Sequence, residues 1–347
     1  MPPRVLPTHS PALFEEALSQ AVIELQSGRI VAVPTETVYG LTANALDPEA
    51  VEKIFTLKGR PSHNPIIVHV ASAADVHRCA AEWPGSAEIL ASRFWPGPVT
   101  LVVPKTQAVP GIVTAGGNTV GLRWPSHPFM QALIRRCGFP LAAPSANSSN
   151  RLSPTQAEHV AADFQERSPL IIDGGACQVG IESTVVDVSS GRPRVLRPGM
   201  ITEQDITAVL RADARPGAAI AAGPDEGVLR SPGLLSRHYQ PKARVRILKW
   251  STEQDLNQQL ALLDASGAAI HFICHTRFPA SAPSKNVHVA PAEPEAYARA
   301  LYAQLHACDQ AGASWIVVEA LPNAPGWEGI QDRLIRASAP PSETITG

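Results

Sequence analysis

The chain has 347 residues, 44% of them hydrophobic, with 29 basic and 31 acidic side chains and a formal net charge of −2. That length exceeds one average domain, and neither a bilayer-spanning run of about 18 apolar residues nor a net basic nucleic-acid scaffold fits it. Proline, at 33 residues, stands near twice its usual share of roughly 5%, yet long apolar-periodic segments exclude a disordered or collagen-like chain.

The first residues, MPPRVLPTHSPALFEEAL, lack a basic region followed by an apolar core, which argues against export. Helical spacing of Leu18, Ala21, Val22 and Leu25 predicts a helix over residues 12–28, and IVAVP (30–34) reads as a buried strand entering a turn. A helix at 48–57 leads to the strand PIIVHV (65–70). Further strands are expected at 100–103, 119–124, 169–172 and 183–188, with helices between them and a last helix at 202–210. This alternation describes an α/β domain over residues 1–212.

Residues 213–242 are rich in Ala, Gly and Pro without sustained periodicity and read as an interdomain linker. Beyond them RVRILKW, a helix near 253–266, AAIHFIC, NVHVA, a helix near 295–311, WIVVEA and a helix near 327–337 alternate as βαβ units do. A second, smaller doubly wound domain is therefore expected over 243–347. Five scattered cysteines without a C-x-x-C pair suggest neither a disulfide framework nor a zinc knuckle and fit a reducing cytoplasm. His271 and His275 flank Cys274 on a predicted buried strand, where packing explains them better than a metal does.

P-loop, G-x-G-x-x-G and G-x-S-x-G signatures are absent. Polar residues gather instead where strands end, the place where open α/β sheets bind ligands. Lys58 and Arg60 lie two apart in a Gly/Pro-bounded loop and could face one polyanion, with Ser62, Asn64 and His69 adjoining. A solvated basic turn is the competing reading, and His69 alone would be taken for a core histidine. In LAAPSANSSNRLSPT (141–155), small residues allow close backbone approach while Ser145, Asn147 and Ser153 offer donors and acceptors. An ordinary turn with Ser153 or Thr155 capping the next helix is the alternative. Thr119 and Arg123, GIESTVVD (180–187) and LRPG (196–199) form a third cluster. Arg123 and Arg197 are costly to bury without an anion, whether a ligand or a structural partner such as Glu182 or Asp187.

In this order, PTETVYG, KGRP..NPIIVHV, FWPGPVTLV, APSAN, GIESTVVD and LRPG resemble the YrdC-domain family of threonylcarbamoyl-AMP synthases. SPGLLSRHYQP (231–241) and DRLIRAS resemble features of its long form, which has an additional C-terminal domain. The resemblance implies a YrdC-like twisted open mixed sheet with flanking helices, plus a smaller C-terminal Rossmann-like α/β domain. It also implies a nucleotidyltransferase joining L-threonine, bicarbonate and ATP, with Mg²⁺ accompanying ATP, into threonylcarbamoyl-adenylate and diphosphate. The product would pass to a tRNA threonylcarbamoyl transferase complex for the adenosine beside the anticodon, with no membrane and no strong direct nucleic-acid binding.

Carried over residue by residue, the catalytic pair is Lys58 and Arg60. ATP would be held by these two with Asn64, Thr119, Ser145, Asn147, Ser153, Arg197 and Tyr239, and L-threonine by Thr37, His69, Arg123, Ala143 and Ser183. Residues 231–241 would form a lid bringing His238 and Tyr239 over the pocket. The alternatives are a non-catalytic RNA-binding module of the same fold and a carbamoyl transferase. The latter's relatives carry acylphosphatase-like and zinc-finger segments that this sequence lacks, and aromatic residues, 5% of the chain, are few for the stacking platforms of the former.

Overall fold

The computed structural model describes residues 2–190, 192–212, 238–263 and 268–339. In chain order the first part contains β1 (Val5–Pro7), α1 (Pro11–Gln26), β2 (Val31–Val33), β3 (Gly40–Asn44), α2 (Pro48–Lys58), β4 (Val68–His69), α3 (Ala73–Cys79), α4 (Gly85–Phe94), β5 (Val99–Pro104) and β6 (Thr119–Arg123). It continues with α5 (Pro128–Cys137), β7 (Leu141–Ala142), α6 (Ala157–Phe164), β8 (Leu170–Asp173), β9 (Thr184–Asp187), β10 (Arg194–Arg197) and α7 (Glu203–Ala212). These strands form one ten-stranded mixed sheet in the order β1-β8-β2-β3-β7-β4-β6-β5-β9-β10.

Local chemistry sets the element ends. Ser10 caps α1 by accepting from Leu13 N, a proline opens the helix, and Ala17, Leu18, Ala21, Val22 and Leu25 are buried on one face. Asp47 caps α2, and Gly59 ends it at φ 59°, a left-handed turn open to glycine without strain. That turn delivers Lys58 and Arg60 to the end of the sheet. Strands β1, β3, β7 and β10 are not among those expected from the sequence. They are short, and GLTAN in β3 (Gly40–Asn44) lacks the β-branched run that marks a strand. The expected strand at 65–70 narrows to Val68–His69, and the expected helix at 253–266 to Glu253–Ala261.

The second part contains β11 (Arg244–Leu248), α8 (Glu253–Ala261), β12 (Ile270–Cys274), β13 (Val287–Val289), α9 (Pro294–Gln310), β14 (Trp315–Glu319) and α10 (Glu328–Ala337). Its four strands pair in the order β11-β14-β12-β13, all parallel. Parallel strands need crossover connections, and α8 links β11 to β12 and α9 links β13 to β14, while α10 follows the last strand. Two apolar clusters cover the faces of the large sheet. A third joins Val38, Leu152 and Ile181 of the first part to Leu301, Tyr302, Ile316 and Ile330 of the second. Each fully buried aliphatic side chain there contributes about 1.5–3 kcal/mol, so the two parts share a core.

No helix among the described residues is long and apolar enough to cross a membrane. Residues 213–237, most of the expected linker and the first part of the expected lid, lie outside the described residues.

Candidate functional site

A cavity of about 50 Å³ opens where several strands of the large sheet end, lined among others by Thr37, Arg60, His69, Arg123, Ser145 and Arg197. Ala143, Ser183, His238 and Tyr239 also line it. A larger cavity of about 530 Å³ adjoins it, sharing Ile67 and lined by Thr100, Asn118, Thr119 and Ser189. The first holds most of the residues expected at the site, and Thr119 lies in the second. Lys58, Asn64, Asn147 and Ser153 stand behind the lining as buried groups.

Strand register builds one wall. His69 of β4 pairs with Arg123 of β6 and with Leu141 of β7, so the imidazole and guanidinium stand side by side. Neither ring nitrogen of His69 has an aligned hydrogen-bond partner among the described residues. It is therefore not a satisfied core histidine. Burial first, and then the Arg123 charge, hold its pKa well below the usual histidine range, while the nearby Leu141 and Ile67 carbonyls oppose the shift. His69 is a neutral acceptor or donor facing the cavity. Arg123 donates to Thr37 Oγ1 at 2.8 Å and to the Gly97 carbonyl at 3.3 Å, and its Nη2 stands 2.7 Å from Glu36 Oε1. Its carboxylate partner is thus Glu36 rather than Glu182 or Asp187.

The Lys58 ammonium donates to the Ser145 carbonyl at 2.6 Å and to the Asn147 carbonyl. It staples the two loops together instead of standing free. Burial, then Arg60, lower its pKa well below the lysine range, against a smaller opposing pull from Asp163. Arg60 donates to the carbonyls of Asn64 at 3.2 Å and Pro65 at 2.8 Å, and burial is the main reason its pKa falls to about 10. Asn147 donates to the carbonyls of Ser148 and Arg151, both at 2.9 Å, leaving its Oδ1 without an aligned partner, as is Asn64 Oδ1.

The opposite wall comes from the segment before β9 and the end of β10. Arg197 donates to the Ser183 carbonyl at 3.0 Å and to its hydroxyl at 3.2 Å, and that hydroxyl lies 2.7 Å from Thr100 Oγ1. Ser153 does not cap α6; its hydroxyl donates to Glu182 at 2.5 Å. Glu182 also accepts from Arg333 of α10 at 2.7 Å and from Tyr302 of α9 at 3.1 Å. Burial raises the pKa of Glu182, but Arg333, Arg197 and the hydrogen bonds outweigh it and bring the value down to about 2.

The second part of the chain therefore reaches the cavity wall through a buried ion pair. His238 and Tyr239 line the cavity, Tyr239 at φ 61° with its ring 5.3 Å from the Arg333 guanidinium carbon. Sequence reading passed over Glu36, Tyr302 and Arg333 as site neighbours. For Glu36 a signal existed, an acidic residue between two threonines in a turn after a buried strand; for the other two, helical spacing showed only an inward face.

Comparison with known proteins gives a consistent result. Residues 24–199 match the Sua5/YciO/YrdC family, described as "Telomere recombination", and residues 201–339 match "Threonylcarbamoyl-AMP synthase, C-terminal domain". The threonylcarbamoyl-AMP synthase of Pyrococcus abyssi is 39% identical over 317 residues, 90% of this chain and 92% of the relative. That of Bacillus subtilis is 39% identical over 325 residues, 92% of each. The crystal structure of P. abyssi Sua5 complexed with L-threonine superposes with a TM-score of 0.85 at 36% identity, covering 97% of this chain and 98% of that one. With both parts matched and the relatives covered nearly end to end, the chain belongs to the threonylcarbamoyl-AMP synthase family in its two-domain, long form.

Proposed function

We propose that the smaller cavity holds L-threonine beside ATP and that the enzyme joins them through bicarbonate into threonylcarbamoyl-adenylate. The observation that carries this reading is the make-up of the lining: neutral His69 next to Arg123 and Thr37, together with Arg60, Arg197 and Ser145. The first set suits an amino acid and the second a polyphosphate. The adjoining cavity of about 530 Å³, with Thr119 in its wall, has the volume of a small-ligand site.

Threonine's ammonium group gives up a proton to solvent, and the resulting amine condenses with bicarbonate, losing water, to give an N-carboxy intermediate. One oxygen of the new carboxylate attacks the α-phosphorus, the bond to the bridging oxygen breaks, and diphosphate leaves. Charge develops on the phosphoryl oxygens and the leaving group, where fixed cations act most strongly. Arg60 and Arg197 line the cavity for that task, and Lys58, with Asn64, Asn147 and Ser153, shapes the nucleotide loop. Arg123 takes the threonine carboxylate, with His69, Ser183, Thr37 and the Ala143 backbone around the rest of the molecule. His238 and Tyr239, lining the cavity, exclude the water that would hydrolyse the intermediate.

Among the described residues the sole carboxylate in the lining is Glu182, already engaged by Ser153, Tyr302 and Arg333. The donor set therefore fits Mg²⁺ carried in on the triphosphate, with waters completing its shell, and not a dedicated protein site. The product is a reactive mixed anhydride suited to consumption by a transferase acting on the tRNA adenosine beside the anticodon. Five cysteines, all buried and unpaired, agree with work in the cytoplasm.

Diphosphate release from the purified protein, measured with ATP, Mg²⁺, threonine and bicarbonate and with each omitted in turn, tests the reading. Release should require all four; release indifferent to threonine or bicarbonate contradicts it.

A further inference from the structure

Glu36 is buried at 2% exposure, directly beside the cavity wall but not part of its lining. Its Oε1 lies 2.7 Å from Arg123 Nη2, both side chains being almost wholly buried. Neither Glu36 oxygen has an aligned hydrogen bond among the described residues. Arg123 is therefore the one strong compensation for this carboxylate, and Glu36 the one full opposite charge for Arg123.

Arg60 and Arg197 line the same cavity, but the titratable groups around Glu36 itself add no further charge. Cys177 and His127 are the other titratable neighbours that sense Glu36. Burial pushes the Cys177 thiol up, away from its charged form, and burial holds His127 below the usual histidine range, so both stay neutral near pH 7. The loop is rigid: Thr35 Oγ1 donates to the Val38 carbonyl at 2.6 Å and sits 2.9 Å from Thr37 Oγ1, which accepts from Arg123.

We infer that Glu36 is a positioning residue that sets substrate charge selectivity: it neutralises the Arg123 subsite, so that the site takes a zwitterionic amino acid in preference to a carboxylate of net negative charge. This rests on the placing of threonine against Arg123 above. A lone buried guanidinium would reward any anion that entered. The Glu36–Arg123 pair sums to zero, so a net anion gains little from it and still loses its hydration, whereas a zwitterion presents a dipole that the pair can match. Glu36 acts through Arg123, fixing its aim and offsetting its charge.

The test is equilibrium binding of L-threonine and of 3-hydroxybutyrate, which lacks the amine, to the full chain without bicarbonate or ATP. Wild type should prefer threonine by more than about tenfold, and E36Q should shrink that preference by about tenfold or more. E36D, which keeps the charge, should restore it, an outcome that loss of packing would not produce. Equal wild-type affinities for the two ligands overturn the inference, and so does a folded E36Q of undiminished preference. The wild-type comparison decides the matter even if E36Q fails to fold. R123A should lose both ligands; threonine affinity untouched in R123A would instead refute the placing of threonine.

Discussion

Burial disfavours the charged forms of a histidine in this cavity wall and of a lysine just behind it. His69 stands beside Arg123 with no well-aligned partner for its nitrogens, only the nearby Leu141 and Ile67 carbonyls, an arrangement that a ligand can complete. Burial, and then Arg60, hold the Lys58 pKa well below the lysine range. An entering polyanion reverses that balance by favouring the protonated ammonium. Nucleotide binding should therefore take up protons, and affinity should weaken as pH rises through the depressed Lys58 pKa. Calorimetry in buffers of different ionisation enthalpy measures the uptake directly; binding with no proton exchange and a flat pH profile would contradict the assigned role. At this scale the sequence was legible wherever a residue type was costly in its context: Arg123 and Arg197 in apolar runs announced a need for anions. It was not legible which anion answered, because Glu36 reaches Arg123 across 87 residues and only the fold brings them together.

Among the elements, the turns matter more than the strands they join. Pairing of β4 with β6 and β7 fixes His69, and the left-handed Gly59 fixes the loop of Lys58 and Arg60. Long amphipathic helices and apolar strands could be read from periodicity, whereas β3 and β10 could not, since pairing partners and not propensity make them strands. Gly180 shows how tightly the elements fit. It sits at φ 86°, and a Cβ there would lie 2.4 Å from the Ala298 carbonyl and the Arg299 Cα of α9. Gly180→Ala combines backbone strain with overpacking and should destabilise the chain by at least about 2 kcal/mol. Because α9 carries Tyr302 to Glu182, activity should fall with it. A denaturation midpoint unchanged from wild type would show that α9 does not press on the turn as described.

Across the whole molecule, the two halves meet at the cavity wall. Arg333 is 1% exposed and bonded to Glu182 of the cavity wall, and breaking such a buried pair from one side costs about 3–5 kcal/mol. The C-terminal domain could be foreseen as a parallel α/β unit from its alternating strands and helices. Its reach into the site could not, because one arginine on the buried face of an amphipathic helix reads as packing until its partner is seen. Proline, conspicuous from the start, clusters where the walls form, with Pro34, Pro65, Pro144 and Pro198 each beside a site residue, and a fixed φ there limits loop freedom before ligand arrives. All of this geometry serves one claim, that threonine, bicarbonate and ATP are joined in a single enclosed site. Mass spectrometry of the nucleotide formed from isotopically labelled bicarbonate tests that claim most directly. The product should be an adenylate carrying both threonine and the labelled carbon; an adenylate of threonine without the label, or none at all, would rule out that single joining site.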